Sequence, residues 1–203
     1  RLYLLNNIDK ILFNSKWSQK RFFINIGNDE LLKQKTSVCY QSTSRTNINF
    51  KQKQKIISFI GKLNSAKGYD IFGKAIINIL NKFKNWKAFA IGNERRESHI
   101  FKHKNFKVLN WLPHNKILNF YKKSSISVVC SRWQEPFGRT AMESAAYGCA
   151  TITSGRGGLP ETFDNNLILN NLNSKSLEKI ISKIIQKPTL LRNIQKRNLN
   201  NVL

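Results

Sequence analysis

From residue 56 onward the chain alternates between short runs rich in β-formers and longer stretches with helical periodicity, and no other feature narrows its fold as much. IISFI (56–60) has the composition of a buried strand and leads into a glycine-containing loop. Beyond that loop, YDIFGKAIINILNKF places Ile71, Phe72, Ala75, Ile76, Ile79, Leu80 and Phe83 on one helical stripe. WKAFAI (86–91) and FKVLN (106–110) are strand candidates. PHNKILNFYKK (113–123) reads as a helix with Pro113 in its first turn, and SISVVC (125–130) as another strand. A helix over the stretch 135–148, a strand at ATIT (150–153) and a helix over 174–187 complete the pattern. The last of these, SKSLEKIISKIIQK, has apolar residues at 177, 180, 181, 184 and 185, a face suited to packing on a sheet. Strands separated by helices imply right-handed crossovers, so the prediction is an α/β fold whose parallel sheet carries helices on both faces. Ligands of such sheets bind outside the carboxyl ends of the strands. Two loops fall there, GKLNSAKG after the first strand and SRWQEPFG after SISVVC, and both face the same crevice.

Residues 1–50 follow a different pattern. DKILFNS is a strand candidate, KWSQKRFF an amphipathic helix and TSVCY a further strand, after which QSTSRTNINFKQKQK loses periodicity like a linker. The expectation is that 1–50 is the end of a preceding domain plus a linker, and that 51–203 is the domain that follows. The first residue is Arg, as in a piece of a longer polypeptide, and no internal repeat is visible. No apolar run approaches the roughly 18 residues of a membrane span, and the start lacks the apolar core of a signal peptide. Cys39, Cys130 and Cys149 fit neither a disulfide framework nor a zinc pattern, and Cys130 and Cys149 border apolar strands, where buried thiols are expected. A reducing, cytoplasmic setting is the default that follows.

Charge tests one function class. Lysine and arginine total 35 against 11 acids, a formal net charge of +24. Clustered cations bind nucleic acid by releasing counterions, but these lysines are scattered and accompany abundant Asn and Ile, as A/T-rich codons give. Only KQKQK (51–55) is a basic run, and no aromatic residues interleave with a basic stripe. General basicity is therefore preferred to a nucleic-acid surface, with attraction to an anionic membrane face or to phosphorylated substrates between the two.

Chemistry concentrates in the two loops. Gly61 follows the first strand, Lys62 and Lys67 lie five residues apart, and Gly68 precedes the helix. Two ammonium groups there can neutralise a diphosphate, or they are solvated lysines on a turn; the order of residues is not that of a P-loop. EPFGRTAMESAAYG (135–148) says more. Pro136 and Gly138 force an abrupt start to a helix whose unpaired N–H groups and positive dipole suit a phosphate or sugar oxygen. Glu135 lies before that helix and Glu143 eight residues on, a rise of roughly 12 Å at most. Carboxylates at that span suit the two hydroxylated ends of a nucleotide-sugar with its diphosphate between them. The plainer alternative makes Glu135 a first-turn acid and Glu143 a surface residue, yet Ala141, Met142, Ala145 and Ala146 around Glu143 point to burial and a need for a partner.

FIGKLNSAKG, the EPFG loop, the two glutamates, AAYGCATITS and GGLPE occur in the order seen in glycosyltransferase group 1 enzymes, and the whole chain resembles that family, most densely over 125–161. The resemblance implies a Rossmann-like donor-side half of a GT-B fold, with 1–50 ending the acceptor-side domain and 51–203 binding a nucleotide-sugar. It implies retaining transfer from a nucleotide-diphosphate sugar to a saccharide or lipid-linked acceptor, in cell-envelope polysaccharide or glycolipid synthesis at the inner membrane face, without a cofactor. The sequence itself has no Asp-x-Asp metal site, its lysines being able to do a cation's electrostatic work, and no nucleic-acid partner is expected. By position, Lys62 and Lys67 take the place of the basic pair at the diphosphate; the family's usual Arg at the first position is Lys here, without a bidentate fork. Glu135 falls where the transferred sugar is contacted and Glu143 where the ribose is held. Gly61 belongs to the phosphate loop, the backbone of Phe137, Gly138, Arg139 and Thr140 to the sugar and phosphate oxygens, and Leu112 in NWLPH to the base. Gly158 in GRGGLPE is either part of a tight turn or beside the crevice. His99, His103 and His114 show no carboxylate partner at motif spacing and are expected at the surface, and Trp133 is expected to pack the donor loop. Alternatives are another GT-B enzyme, a nucleotide-sugar epimerase or a phosphorylase, and a basic nucleic-acid-binding protein.

Overall fold

The computed structural model describes residues 2–26, 30–44, 46–163 and 167–202. In chain order its elements are α1 (Leu2–Asn7), β1 (Ile11–Phe13), α2 (Lys16–Phe23), α3 (Glu30–Gln34), β2 (Thr36–Val38), β3 (Gln54–Ile60), α4 (Tyr69–Lys82), β4 (Lys87–Ile91), β5 (Phe106–Leu109), α5 (His114–Lys123), β6 (Ser124–Val129), α6 (Arg139–Ala146), β7 (Ala150–Ser154), β8 (Ile168–Leu169), α7 (Ser174–Gln186) and α8 (Pro188–Asn200). β1 and β2 form a two-stranded parallel sheet. The other six strands form a sheet in the order β5-β4-β3-β6-β7-β8, with every neighbouring pair parallel.

This order follows from the residues. The five apolar-run positions of β3 are all buried, as a strand covered on both faces requires, and β3 lies in the middle of the sheet. The chain first runs outward from β3 through β4 to β5, then returns to the other side of β3 with β6 and proceeds through β7 to β8. The strand order reverses between β3 and β6, and a crevice opens at their carboxyl ends at such a switch point. One core layer joins the sheet to Ile71, Phe72, Ala75, Ile76 and Ile79 of α4 and to Leu177, Ile181 and Ile184 of α7. The opposite layer is built on Ile117 and Tyr121 of α5 and Ala141, Met142, Ala145 and Ala146 of α6. The α/β architecture with a parallel sheet and helices on both faces is as the sequence predicts.

Several details differ from the sequence reading. Pro113 is the N-cap of α5, not a residue of its first turn, because its ψ of 145° is extended. Cys130 lies just beyond β6. KQKQK is not simply linker: Gln54 and Lys55 already belong to β3, and the Lys53 ammonium donates to the carbonyls of Tyr121, Ser124 and Tyr147 at 2.8, 2.8 and 2.6 Å. The rest of the non-periodic segment holds only the short turn Phe50–Gln52, and Arg45 lies outside the described residues. α1, α3, β8 and α8 are elements that the periodicity did not mark.

Candidate functional site

The loop after β3 and the loop after β6 meet at the switch point and are built into one another. Gly68 has φ of +78°, and a Cβ there would fall 2.1 Å from the carbonyl oxygen of Cys130, so only glycine permits the approach. The Ala66 carbonyl accepts from Arg132 N at 2.9 Å, Trp133 N at 3.1 Å and the Ser131 hydroxyl at 3.1 Å. The Arg132 guanidinium forks onto the Asp70 carboxylate at 2.6 and 2.8 Å and also donates to Ser65 O. Asn64 caps the turn by accepting from Lys67 N at 3.0 Å. These ties carry Lys67 across to Glu135, and the two side chains form an ion pair. Gly61 extends the ladder by donating to Ile91 O at 3.0 Å. Lys62 is exposed, and no described residue pairs with it.

α6 starts at this junction. Gly138 is its N-cap with φ of +116°, and the N–H groups of the first helical residues, Arg139 and Thr140 among them, have no intrahelical acceptor. Phe137 anchors the turn from below, buried and tilted against Tyr40 with ring centroids 6.1 Å apart. Glu143 is only 5% exposed, and its Oε1 lies 3.0 Å from His114 Nε2 and 3.1 Å from Arg139 Nη2. The burial foreseen from the alanines around Glu143 is present, and so are the partners that a buried carboxylate requires. Leu112 is half-buried beside the same apolar layer as α5 and α6. Gly158 donates its N–H to Glu135 O at 2.7 Å, so GRGGLPE lies beside the crevice and against the Glu135 loop.

Three expectations are corrected. His114 stays exposed as expected but has a carboxylate partner in Glu143, which folding brought to it across 29 positions, and His99 is partly buried with its partner Glu97, two residues before it, at 2.7 Å. His103 accepts from Asn105 N at 3.0 Å, a local turn contact. The Trp133 ring does not pack the loop: it is 61% exposed, and the residue contributes its backbone N–H instead. Glu161, Ser15 and the Asp70–Arg132 fork were not singled out from the sequence; each makes contacts with residues distant in the chain, the fork joining the loop after β6 to the start of α4, and of these residues Glu161 lies in the motif GGLPE. Beyond the lysine loop, Leu63, Gly92, Asn93, Glu94, His99 and Asn110 border a depression of about 310 Å³. There the hydrogen bond from Arg96 holds the Glu94 carboxyl down to about 2.

The sequence profile of the family described as "Glycosyl transferases group 1" matches residues 41–200, most of the chain. The chain belongs to the group 1 glycosyltransferases. It is 29% identical over 204 residues to an uncharacterised glycosyltransferase of Methanocaldococcus jannaschii, covering 95% of this chain and 54% of that protein. It spans 33% and 28% of the lengths of two further curated relatives. Among solved structures it resembles the C-terminal domain of a group 1 glycosyltransferase from Francisella tularensis, with a TM-score of 0.64, 24% identity and coverage of 71% of this chain and 82% of that one. It also resembles Anabaena HepE in complex with UDP-glucose, with a TM-score of 0.78, 17% identity and coverage of 98% and 60%. The Rossmann-like sheet of this group 1 glycosyltransferase is thus the sheet of the GT-B enzymes. No helix among the described residues is long and apolar enough to cross a membrane.

Proposed function

We propose that this group 1 chain carries the donor site of a retaining glycosyltransferase using a nucleotide-diphosphate sugar, with a saccharide or lipid-linked acceptor. The observation that carries the reading is the arrangement of two carboxylates around the N-terminus of α6 at the switch point, Glu135 in an ion pair with Lys67 and Glu143 buried behind the first turn. A diphosphate seated on the α6 N-terminus would meet unpaired N–H groups, the helix dipole and the ammonium groups of Lys62 and Lys67. As the glycosidic bond breaks, negative charge grows on the departing diphosphate, and those fixed donors stabilise it more than the ground state. Glu135 orients hydroxyls of the transferred sugar, and Glu143 accepts from the ribose. HepE, whose fold this chain shares, has been solved with UDP-glucose, which makes UDP the first nucleotide to try. Synthesis of envelope polysaccharide or glycolipid, on a membrane whose anionic face would attract a chain of net charge +24, is the setting that fits these acceptors.

Calorimetry with UDP and then UDP-glucose tests the roles. Glu143→Gln should weaken UDP by the value of a charged hydrogen bond, about 1.5 to 3 kcal/mol. Glu135→Gln should leave UDP affinity nearly unchanged and reduce the gain from the attached glucose. Equal loss of UDP affinity in both folded variants refutes the division of roles. A chain that no nucleoside diphosphate stabilises against heat refutes the donor site itself, because a ligand at 100 times its Kd adds about 2.7 kcal/mol.

A further inference from the structure

The first turn of α2 and the Glu135 loop grip one another through contacts between residues 118 to 145 positions apart in the chain. Glu161, last residue of GRGGLPE, accepts from Lys16 N at 2.7 Å through Oε2 and from Trp17 N at 2.8 Å through Oε1. These are the opening N–H groups of α2, which have no acceptor inside the helix, and a carboxylate is the charge that its dipole favours there. Tyr40 donates its hydroxyl to the same carboxylate at 3.0 Å. Ser15, fully buried, caps α2 by accepting from Ser18 N at 2.9 Å. The hydroxyls of Ser15 and Ser18 both reach Pro136 O, at 2.5 and 3.0 Å.

The glycines of GRGGLPE also approach the same loop closely. Gly158 N donates to Glu135 O at 2.7 Å. A Cβ on Gly157 would fall 2.1 Å from Glu135 O, and one on Gly158 would fall 2.5 Å from Pro136 O and 3.0 Å from Ser15. Two successive carbonyls are therefore held, that of Glu135 by Gly158 N and that of Pro136 by the Ser15 and Ser18 hydroxyls, and the Glu135 side chain meets Lys67.

We propose that Glu161 and Ser15 are positioning residues: they fasten the first turn of α2 to the Glu135–Pro136 backbone, so that the seating of the N-terminal segment sets where Glu135 stands in the crevice. A carboxylate 26 residues beyond Glu135 and a serine 120 residues before it thus act on the sugar subsite without touching it. The consequence for the sugar rests on the donor-site reading; the grip on the loop does not.

The two parts are tested separately on the 203-residue chain. Hydrogen exchange read by mass spectrometry should show, for Glu161→Ala, exchange faster by about tenfold or more in peptides spanning 134–140 and 157–158, the scale expected on losing charge-assisted hydrogen bonds, while β3, α4 and α7 keep their protection. Glu161→Gln, which retains one acceptor oxygen, should fall between wild type and Glu161→Ala, and it supplies the folded comparison if the alanine variant loses its structure. Faster exchange confined to α2 would reduce Glu161 to a helix cap and overturn the proposal. In calorimetry, Glu161→Gln should change UDP affinity less than about twofold and reduce the ratio of UDP-glucose to UDP affinity by about threefold or more. An unchanged ratio with a loosened loop overturns the positioning role. Failure of the wild type to bind either nucleotide overturns the donor site, and with it the sugar part of the proposal, while the exchange result still decides the grip.

Discussion

Lys67 and Glu135 neutralise one another across 68 positions of sequence, and this pairing changes what removal of either residue should do. Lys67→Ala deletes a cation expected at the diphosphate and also leaves the half-buried Glu135 carboxylate facing an incoming anion. The loss of UDP affinity should therefore exceed the attraction of one ammonium group, on the order of tenfold or more, with uridine affinity nearly unchanged. Combining Lys67→Ala with Glu135→Gln removes the bare carboxylate and should restore part of the UDP affinity, a coupling that a double-mutant cycle measures directly. Equal losses for UDP and uridine, or strictly additive effects, would confine Lys67 to supporting the fold. Both residues were legible in the sequence, because strand-loop-helix context and acid spacing marked their loops. Their contact was not, and neither was the pairing of His114 with Glu143, since each joins side chains from different βα units and no local pattern encodes the distance.

Elements were legible where burial is apolar. β3, α4, β6 and α7 present apolar runs or stripes to the core, and their periodicity gave them away. α8 escaped because what it buries includes amides: Gln195 donates to Ser125 O at 3.0 Å and Asn198 to Cys149 O at 3.1 Å, satisfying strand carbonyls that a purely apolar helix would leave bare. Lys53 escaped in the same way, since a lysine in a basic run looks solvated, whereas here burial lowers its pKa and three carbonyls hold its ammonium. The tie between the two site loops gives an element-scale prediction. Burial alone would raise the Asp70 carboxyl, but the hydrogen bonds and charge of Arg132 outweigh it, and the folded-state value lies below 3.8. Because that value is depressed, the stabilisation is fully present above pH 3.8 and is lost as pH falls through the lower folded-state value. Asp70→Asn should thus lower stability at pH 7 by about 1 kcal/mol, a discounted figure for a fork whose arginine is partly exposed, or about 2–4 °C in Tm. The gap between variant and wild type should narrow as the pH is brought below 3.8. A gap that stays constant from pH 7 to pH 3 in thermal scans would assign the loss to something other than the ion pair.

At the scale of the whole molecule, charge and architecture point to different partners, and salt separates them. A formal net charge of +24 draws polyanions of any kind, whereas the donor site proposed at the switch point would be one local anion site with two lysines and a helix N-terminus. Duplex DNA binding through scattered lysines works by counterion release, and log K falls with log salt with a slope of about −0.9 for each neutralised phosphate. A contact covering six phosphates would lose about a thousandfold between 50 and 200 mM salt. A nucleoside diphosphate carries few charges, and at the proposed site part of its affinity would come from N–H groups and from the buried Glu143, contacts that salt screens much less than exposed charges. Its affinity should therefore fall by well under about tenfold over the same range. The measurement is a pair of titrations, a duplex followed by fluorescence anisotropy and UDP followed by calorimetry, each repeated as salt is raised. DNA binding that persists at 0.5 M salt while UDP binding vanishes would reverse the assignment, because it would show a surface shaped for nucleic acid and leave the α6 N-terminus without its proposed anion.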